Sequence, residues 1–241
     1  MANFTFKEKD EEGFNTLEAI SLAHHFNAWM FEQVQPFMNG RILEIGSGIG
    51  NISQYFIDEN ADIVLSDIRE VYCNALQQKF TKNEVLNLDL VHPDFDKVYS
   101  HLQGSFDACF AMNVIEHIED DHLAMKNLVS LLKVGGKVLI LVPAGPSLYN
   151  DSDKGLFHFR RYTPSMMNQL FQSAPLLMEK KWMFNALGIP AWFFGGKILK
   201  KKEVEGKQMD VYDKLIPIAR FIDWITFRKM GLSIIALAKK Y

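Results

Sequence analysis

The chain has 241 residues, 48% of them hydrophobic and 23% charged, which is the composition of an ordinary globular protein long enough to bury a core without disulfide or metal staples. Twenty-six basic residues against 29 acidic ones leave a formal charge of -3, excluding the strongly basic footprint of a dedicated nucleic-acid binder. Cys73 and Cys109 share no short spacing, which argues against a disulfide framework, a zinc knuckle or a redox pair and gives a reducing, cytoplasmic compartment as the expectation. The start, MANFTFKEKDEEGF, is polar and acidic rather than signal-like, and no apolar run of about eighteen residues occurs. Nineteen phenylalanines and four tryptophans make the chain unusually aromatic, and they crowd its leading segment and its last third.

In chain order, Leu17, Ile20, Leu22, Phe26, Trp29, Met30 and Val34 recur at roughly helical spacing, predicting one amphipathic helix from Leu17 to Phe37, closed by Pro36 and Gly40. The apolar run Arg41 to Gly46 predicts a strand, followed by a glycine-rich turn and a helix over Asn51 to Asp58. Further strands are predicted over Ala61 to Asp67, Glu84 to Leu90, Phe106 to Asn113 and Lys137 to Pro143, with helical segments such as Glu70 to Phe80 between them. Strands alternating with helices at this pitch predict a parallel sheet covered on both faces. Ala144 to Tyr162 reads as a long polar loop of the kind that covers a site. A helix over Thr163 to Phe171 follows, with Thr163 as N-cap and Pro164 at its first position, and then a strand over Leu176 to Phe184. An aromatic and basic stretch from Asn185 to Lys229 precedes a last strand over Gly231 to Lys240.

The sharpest motif is LEIGSGIG, Leu43 to Gly50, at the end of the first strand. Glycines there let a ligand approach the backbone, and Asp67, at the end of the second strand, is placed to accept from both hydroxyls of a ribose. The spacing is G-x-G-x-G, and Asn51 stands where a dinucleotide fingerprint wants its third glycine. Glu44 just before the turn would repel a phosphate but suits an ammonium, so a nucleoside with an amino-acid tail fits better than NAD.

On these residues the sequence resembles the class I S-adenosylmethionine-dependent methyltransferases, over roughly residues 40–142. The resemblance implies a Rossmann-like sheet of seven strands, mostly parallel with an antiparallel last strand, and a helical insertion before that strand. It implies one domain over 1–241, with 1–40 a leading helical cap, 41–145 the cofactor-binding half and 146–241 the acceptor side. Glu44, Gly46, Ser47, Gly48 and Gly50 would line the methionine part, Asp67 would hold the ribose and Ile68 would flank the adenine. Asp89, with Leu90 beside it and Asn87 as a close alternative, would accept from the adenine amino group. Asn113 and Val114 match the motif after the fourth strand. An HFRRYT segment like His158 to Thr163 occurs in bacterial methyltransferases of unassigned substrate.

Methyl transfer to a protonated nucleophile needs a base, and His117 and His158 are the candidates. Some members hold a divalent metal with Glu-x-x-Glu-His, but Asn113 replaces the first carboxylate here, so no metal is expected. Arg160, Arg161 and Tyr162 are expected to shape the acceptor side, the alternative being arginines paired with Asp151 or Asp153. His24 and His25 read as packing or capping residues. Trp192, Phe193 and Phe194, followed by Lys200, Lys201 and Lys202, have the chemistry of a peripheral membrane contact, the alternative being a core-facing patch with a solvated basic turn. The expected activity is methyl transfer to a small-molecule acceptor with an apolar or aromatic moiety, by a monomer or homodimer that binds no nucleic acid. The other readings are a non-catalytic nucleoside-binding protein, an NAD-dependent oxidoreductase and an aminopropyl transferase, the last opposed by the basic loop.

Overall fold

A computed structural model describes residues 11–198 and 206–241. Two helices open it, α1 (Glu11–Ser21) and α2 (His24–Val34), followed by β1 (Ile42–Ile45), α3 (Ser53–Asp58), β2 (Ile63–Asp67), α4 (Glu70–Lys79) and β3 (Val85–Asn87). Then come α5 (Phe95–Val98), β4 (Phe106–Met112), α6 (Asp121–Leu131), β5 (Leu132–Pro143), α7 (Asp151–Gly155), α8 (Pro164–Gln172) and β6 (Leu176–Phe184). The insertion supplies α9 (Gly188–Trp192), a π-helical turn over Phe193–Ile198, α10 (Gly206–Lys214) and α11 (Ile216–Ile225), and β7 (Ser233–Lys240) ends the chain.

The seven strands lie in the order β3-β2-β1-β4-β5-β7-β6, and β7 runs antiparallel to both of its neighbours while the rest pair in parallel. Every residue of β1 and β2 is buried, as expected for parallel strands covered on both faces. Side chains alternate across the sheet with period two. Leu43, Ile45, Cys109 and Ala111 enter a core under α6 and α8, whereas Ile42, Leu65, Phe110 and Leu139 enter a second core under α2, α3 and α11. Because β1 connects outward through β2 on one side and lies against β4 on the other, their carboxyl ends diverge, and that crevice is where open α/β sheets take ligands.

Three local expectations are corrected. The helix expected over Leu17 to Phe37 is two helices, because Asn27 turns back and donates its side-chain N–H to the Ile20 carbonyl, satisfying the end of α1 where the chain bends. Strand β5 begins at Leu132 rather than Lys137, with Gly135 in the left-handed region at φ 82°. The long loop after β5 contains α7, whose Asn150 side chain accepts from the Ser152 backbone while Asp153 accepts from the Asn150 backbone. Thr163 does cap α8, accepting from the Met166 backbone at 3.2 Å.

Gly231 sits where the chain re-enters the sheet, and a Cβ there would overlap the backbone of Phe184. Backbone cannot rotate out of the way as a side chain can. Gly231→Ala is therefore expected to lower stability by about 1–3 kcal/mol, and an unchanged urea midpoint would refute this account of the β6–β7 junction.

Candidate functional site

The crevice above β1 and β4 opens into a cavity of about 680 Å³ with mostly apolar walls. Its floor is the turn after β1. Gly46 has φ 69°, and a Cβ on it would overlap the side chain of Val114, so the turn requires glycine twice over, for its conformation and for that close approach. Asp67 ties this turn to the end of β2: one carboxylate oxygen accepts from the Gly48 backbone at 3.0 Å and the other from the Arg69 backbone at 3.0 Å.

Glu44 is buried at the end of β1 and accepts a hydrogen bond from Ser53 at the start of α3. Burial pushes its carboxyl up to about 7 despite that bond, with the nearby Asp67 adding to the rise. A buried carboxylate in this condition favours a cationic group, as the ammonium of an amino-acid tail would be. Asp67 is likewise held above the ordinary carboxylate range, chiefly by burial.

Of the residues expected at the cofactor, Glu44, Gly46, Ser47, Gly48, Asp67, Ile68, Asp89, Leu90, Asn113 and Val114 all border the cavity. Gly50 does not, because it faces α4, where a Cβ would meet Phe80 and Leu76. Between the two candidates near β3, Asp89 borders the cavity, while Asn87 donates its side-chain N–H groups to the Asp67 and Ile68 carbonyls and so braces the loop beneath.

The far wall carries His117, His158 and Arg161. Nδ1 of the buried His158 lies 2.8 Å from Asp153, and Nε of Arg161 donates to both oxygens of the same carboxylate, at 2.8 and 3.0 Å. Burial alone would raise Asp153, but the His158 bond and the Arg161 charge overcome it and hold the carboxyl below its usual range. An ionised Asp153 makes Nδ1 of His158 the protonated nitrogen and leaves Nε2 as the basic one. The sequence signal for Asp153 was the Asn150-Asp151-Ser152-Asp153 capping pattern, which orients it, and pairing with an arginine was foreseen whereas its grip on His158 was not.

Arg160 and Tyr162 lie elsewhere, which corrects the expectation that they shape the same site. Arg160 pairs with Asp121 at 2.7 Å and donates to the Glu119 carbonyl, and the Tyr162 hydroxyl donates to Asp121 at 2.7 Å, beside a separate hollow of about 540 Å³. Tyr162 bridges Ala144 in extended backbone, so 160 and 162 point to one side and 161 to the other.

Glu116 is fully buried between the two histidines, with neither carboxyl oxygen hydrogen-bonded, and burial pushes it up to about 8. His117 is pushed down to about 3 by burial and by the neighbouring His158 and Arg69. Among the described residues, Glu116, His117 and His158 are the group that could hold a metal ion, with ligand atoms within 4.8 Å of one another.

Helices α1, α2, α9 and α10 roof the cavity, contributing Leu17, Phe26, Met30, Trp192 and Tyr212. His25 and the Phe26 backbone both bond Asp213 of α10, at 2.7 and 2.8 Å, so His25 clasps cap to insertion rather than facing the cavity. Trp192 is a wall residue, its ring stacked 4.6 Å from the Arg161 guanidinium, instead of an outward contact. The expected lysine cluster, Lys200, Lys201 and Lys202, lies outside the described residues.

Residues 43–140 match the family described as "Methyltransferase domain". That match spans the stretch from β1 into β5, the strands whose ends floor the cavity. The chain is 23% identical over 110 residues to a ubiquinone biosynthesis O-methyltransferase of Acinetobacter baylyi, covering 46% of each chain. It is 28% identical over 153 residues to a tRNA U34 carboxymethyltransferase of Syntrophotalea carbinolica, covering 63% of this chain and 45% of that one. The chain thus spans under half the length of these curated relatives. In fold the chain is similar to a solved SAM-dependent methyltransferase from Archaeoglobus fulgidus, with TM-score 0.55, 15% identity and coverage of 89% and 94% of the two chains.

The state of Glu44 gives the cavity a pH signature. A bound cation favours the ionised carboxylate, so affinity for S-adenosylhomocysteine, which keeps the amino-acid tail, should rise as pH increases through about 7. Glu44→Gln should flatten that rise and weaken binding about tenfold at alkaline pH. Calorimetry at several pH values measures both, and a pH-independent affinity in the unsubstituted protein would remove Glu44 from contact with the ammonium.

Proposed function

We propose that the chain transfers a methyl group from S-adenosylmethionine to a small-molecule acceptor bearing an apolar or aromatic moiety and a hydroxyl nucleophile, with His158 as base. The observation that carries this is the Asp153–His158 pair in the wall of the same cavity that Glu44, Asp67 and Asp89 border. The mostly apolar lining of the cavity and the formal charge of -3 favour a small acceptor over a nucleic acid.

In this reading Glu44 receives the ammonium of the cofactor, Asp67 accepts from the ribose hydroxyls, Asp89 accepts from the adenine amino group, and Ile68 and Leu90 pack on the ring. When bound, the cofactor supplies an activated methyl carbon whose bond to sulfur breaks with the electron pair going to sulfur. Nε2 of His158 takes the proton from the acceptor hydroxyl as its oxygen attacks, and Asp153 stabilises the imidazolium that results. Phe26, Trp192 and Tyr212 exclude water and grip the apolar part of the acceptor, so that much of the rate comes from positioning.

His158→Ala should lower kcat by roughly 10²–10⁴ while leaving S-adenosylhomocysteine affinity unchanged, whereas Asp67→Ala should lose that affinity. A kcat within twofold of the original for His158→Ala would sink the assignment of the base. The cluster of Glu116, His117 and His158 favours a second reading, in which a divalent cation binds there and lowers the pKa of the acceptor hydroxyl. Incubation with a chelator separates the two: turnover should persist under the base mechanism, and its loss with recovery on adding back a metal would favour the cation.

A further inference from the structure

We propose that the outward face of α11 is a docking surface for an anionic lipid bilayer. Helix α11 is built inside out. It turns Ile216, Ala219 and Asp223 toward the body of the protein and presents Ile218, Phe221, Trp224 and Ile225 to solvent, with Phe227 and Met230 just beyond its end. Trp224 is 71% exposed and Phe227 81% exposed, on a surface where apolar side chains normally stand singly.

The helix cannot roll to bury these rings. Asp223 accepts from the backbone of Asn185 at 2.7 Å and of Ala186 at 2.8 Å, both buried bonds, and rotation of the helix would leave two N–H groups and a carboxylate without partners. Phe227 and Arg228 are both held at φ 53°, a conformation unusual for bulky residues, and this continues the outward course of the chain. Two features of the backbone thus hold the apolar face in water.

Charge selects the occupant. In residues 206–230 the exposed charged side chains are Lys207, Lys214, Arg220, Arg228 and Lys229 against Asp210; Lys214 pairs with Asp210 and Arg220 with Glu32 of α2, while Asp213 and Asp223 are turned inward, so the balance stays basic. A basic rim around tryptophan and phenylalanine is complementary to anionic headgroups above acyl chains. A second copy fits less well, since an isologous contact would set one net-basic rim against another. The face also adjoins the cavity in the chain: Gln208, two turns before α11, is exposed and lies on the cavity lining. This lipid contact is separate from Lys200, Lys201 and Lys202, which lie outside the described residues, and it stands independently of the reaction proposed above. Among the described residues no helix is long and apolar enough to cross a membrane, so the contact is peripheral.

Vesicle flotation of the full chain is the test, using phosphatidylcholine alone and phosphatidylcholine mixed with phosphatidylglycerol. Binding should require phosphatidylglycerol, weaken with added salt, and fall about tenfold or more in the double variant Trp224→Ser with Phe227→Ser, which removes outward side chains and should leave the melting temperature unchanged. Lys214→Glu with Lys229→Glu keeps the apolar face and should also reduce binding. The proposal is overturned if the protein ignores anionic vesicles at low salt or if both double variants float like the original. It is equally overturned if light scattering finds a dimer that Trp224→Ser with Phe227→Ser disperses.

Discussion

The buried carboxylate of Asp153 holds the far wall of the cavity together. It binds Nδ1 of His158 and both oxygens receive Nε of Arg161, which in turn donates to the Ala144 carbonyl at the end of β5 and stacks on Trp192 of α9. A charge removed from water at this depth costs several kcal/mol unless it is paired, and stripping one partner from such a pair typically costs about 3–5 kcal/mol. The pairing therefore forces α7, the end of β5 and the insertion into one arrangement. His158 acquires its tautomer as a by-product of an arrangement that also closes the wall.

On the opposite side a second carboxylate does similar work with less burial. Asp213 of α10 accepts from His25 and from the Phe26 backbone, fastening the roof helix of the insertion to the leading cap. The imidazole of His25 is mostly exposed, so water competes for this clasp as it cannot for Asp153. The two sides are thus unequal. The wall that orients His158 is locked by a buried pair, whereas the roof is held by a half-exposed bond that can open at modest cost.

Residue pattern made the cofactor half legible because its information is local. A parallel strand buried on both faces reads as an apolar run, and the turn after β1 reads as glycine because Val114 leaves no room for a Cβ. The acceptor half was less legible, since its geometry depends on contacts between distant elements. Arg160, Arg161 and Tyr162 are neighbours in sequence, and only the bridge from Tyr162 to Ala144 decides that Arg161 alone turns into the cavity. The break between α1 and α2 likewise depends on which carbonyl the Asn27 side chain reaches. The aromatic excess divides three ways that composition cannot separate: Phe56, Phe110 and Phe184 are core, Phe26, Trp192 and Tyr212 wall the cavity, and Phe221, Trp224 and Phe227 face outward.

The two histidines of the wall illustrate how environment, rather than residue type, divides the chemistry. His117 is depressed to about 3, so at neutral pH it stays uncharged and would hold an abstracted proton poorly. His158 sits 4.7 Å from it, ring centre to ring centre, yet its Nδ1 faces the Asp153 carboxylate at 2.8 Å. Glu116, raised to about 8, is predominantly protonated at neutral pH and adds little negative charge to the same space. Arg161 and Asp153 compensate each other, while Arg69 adds a positive charge near His117. Under the proposed base mechanism, a proton moving to Nε2 of His158 would be stabilised by the Asp153 carboxylate at short range, and His117 would stay uncharged beside it.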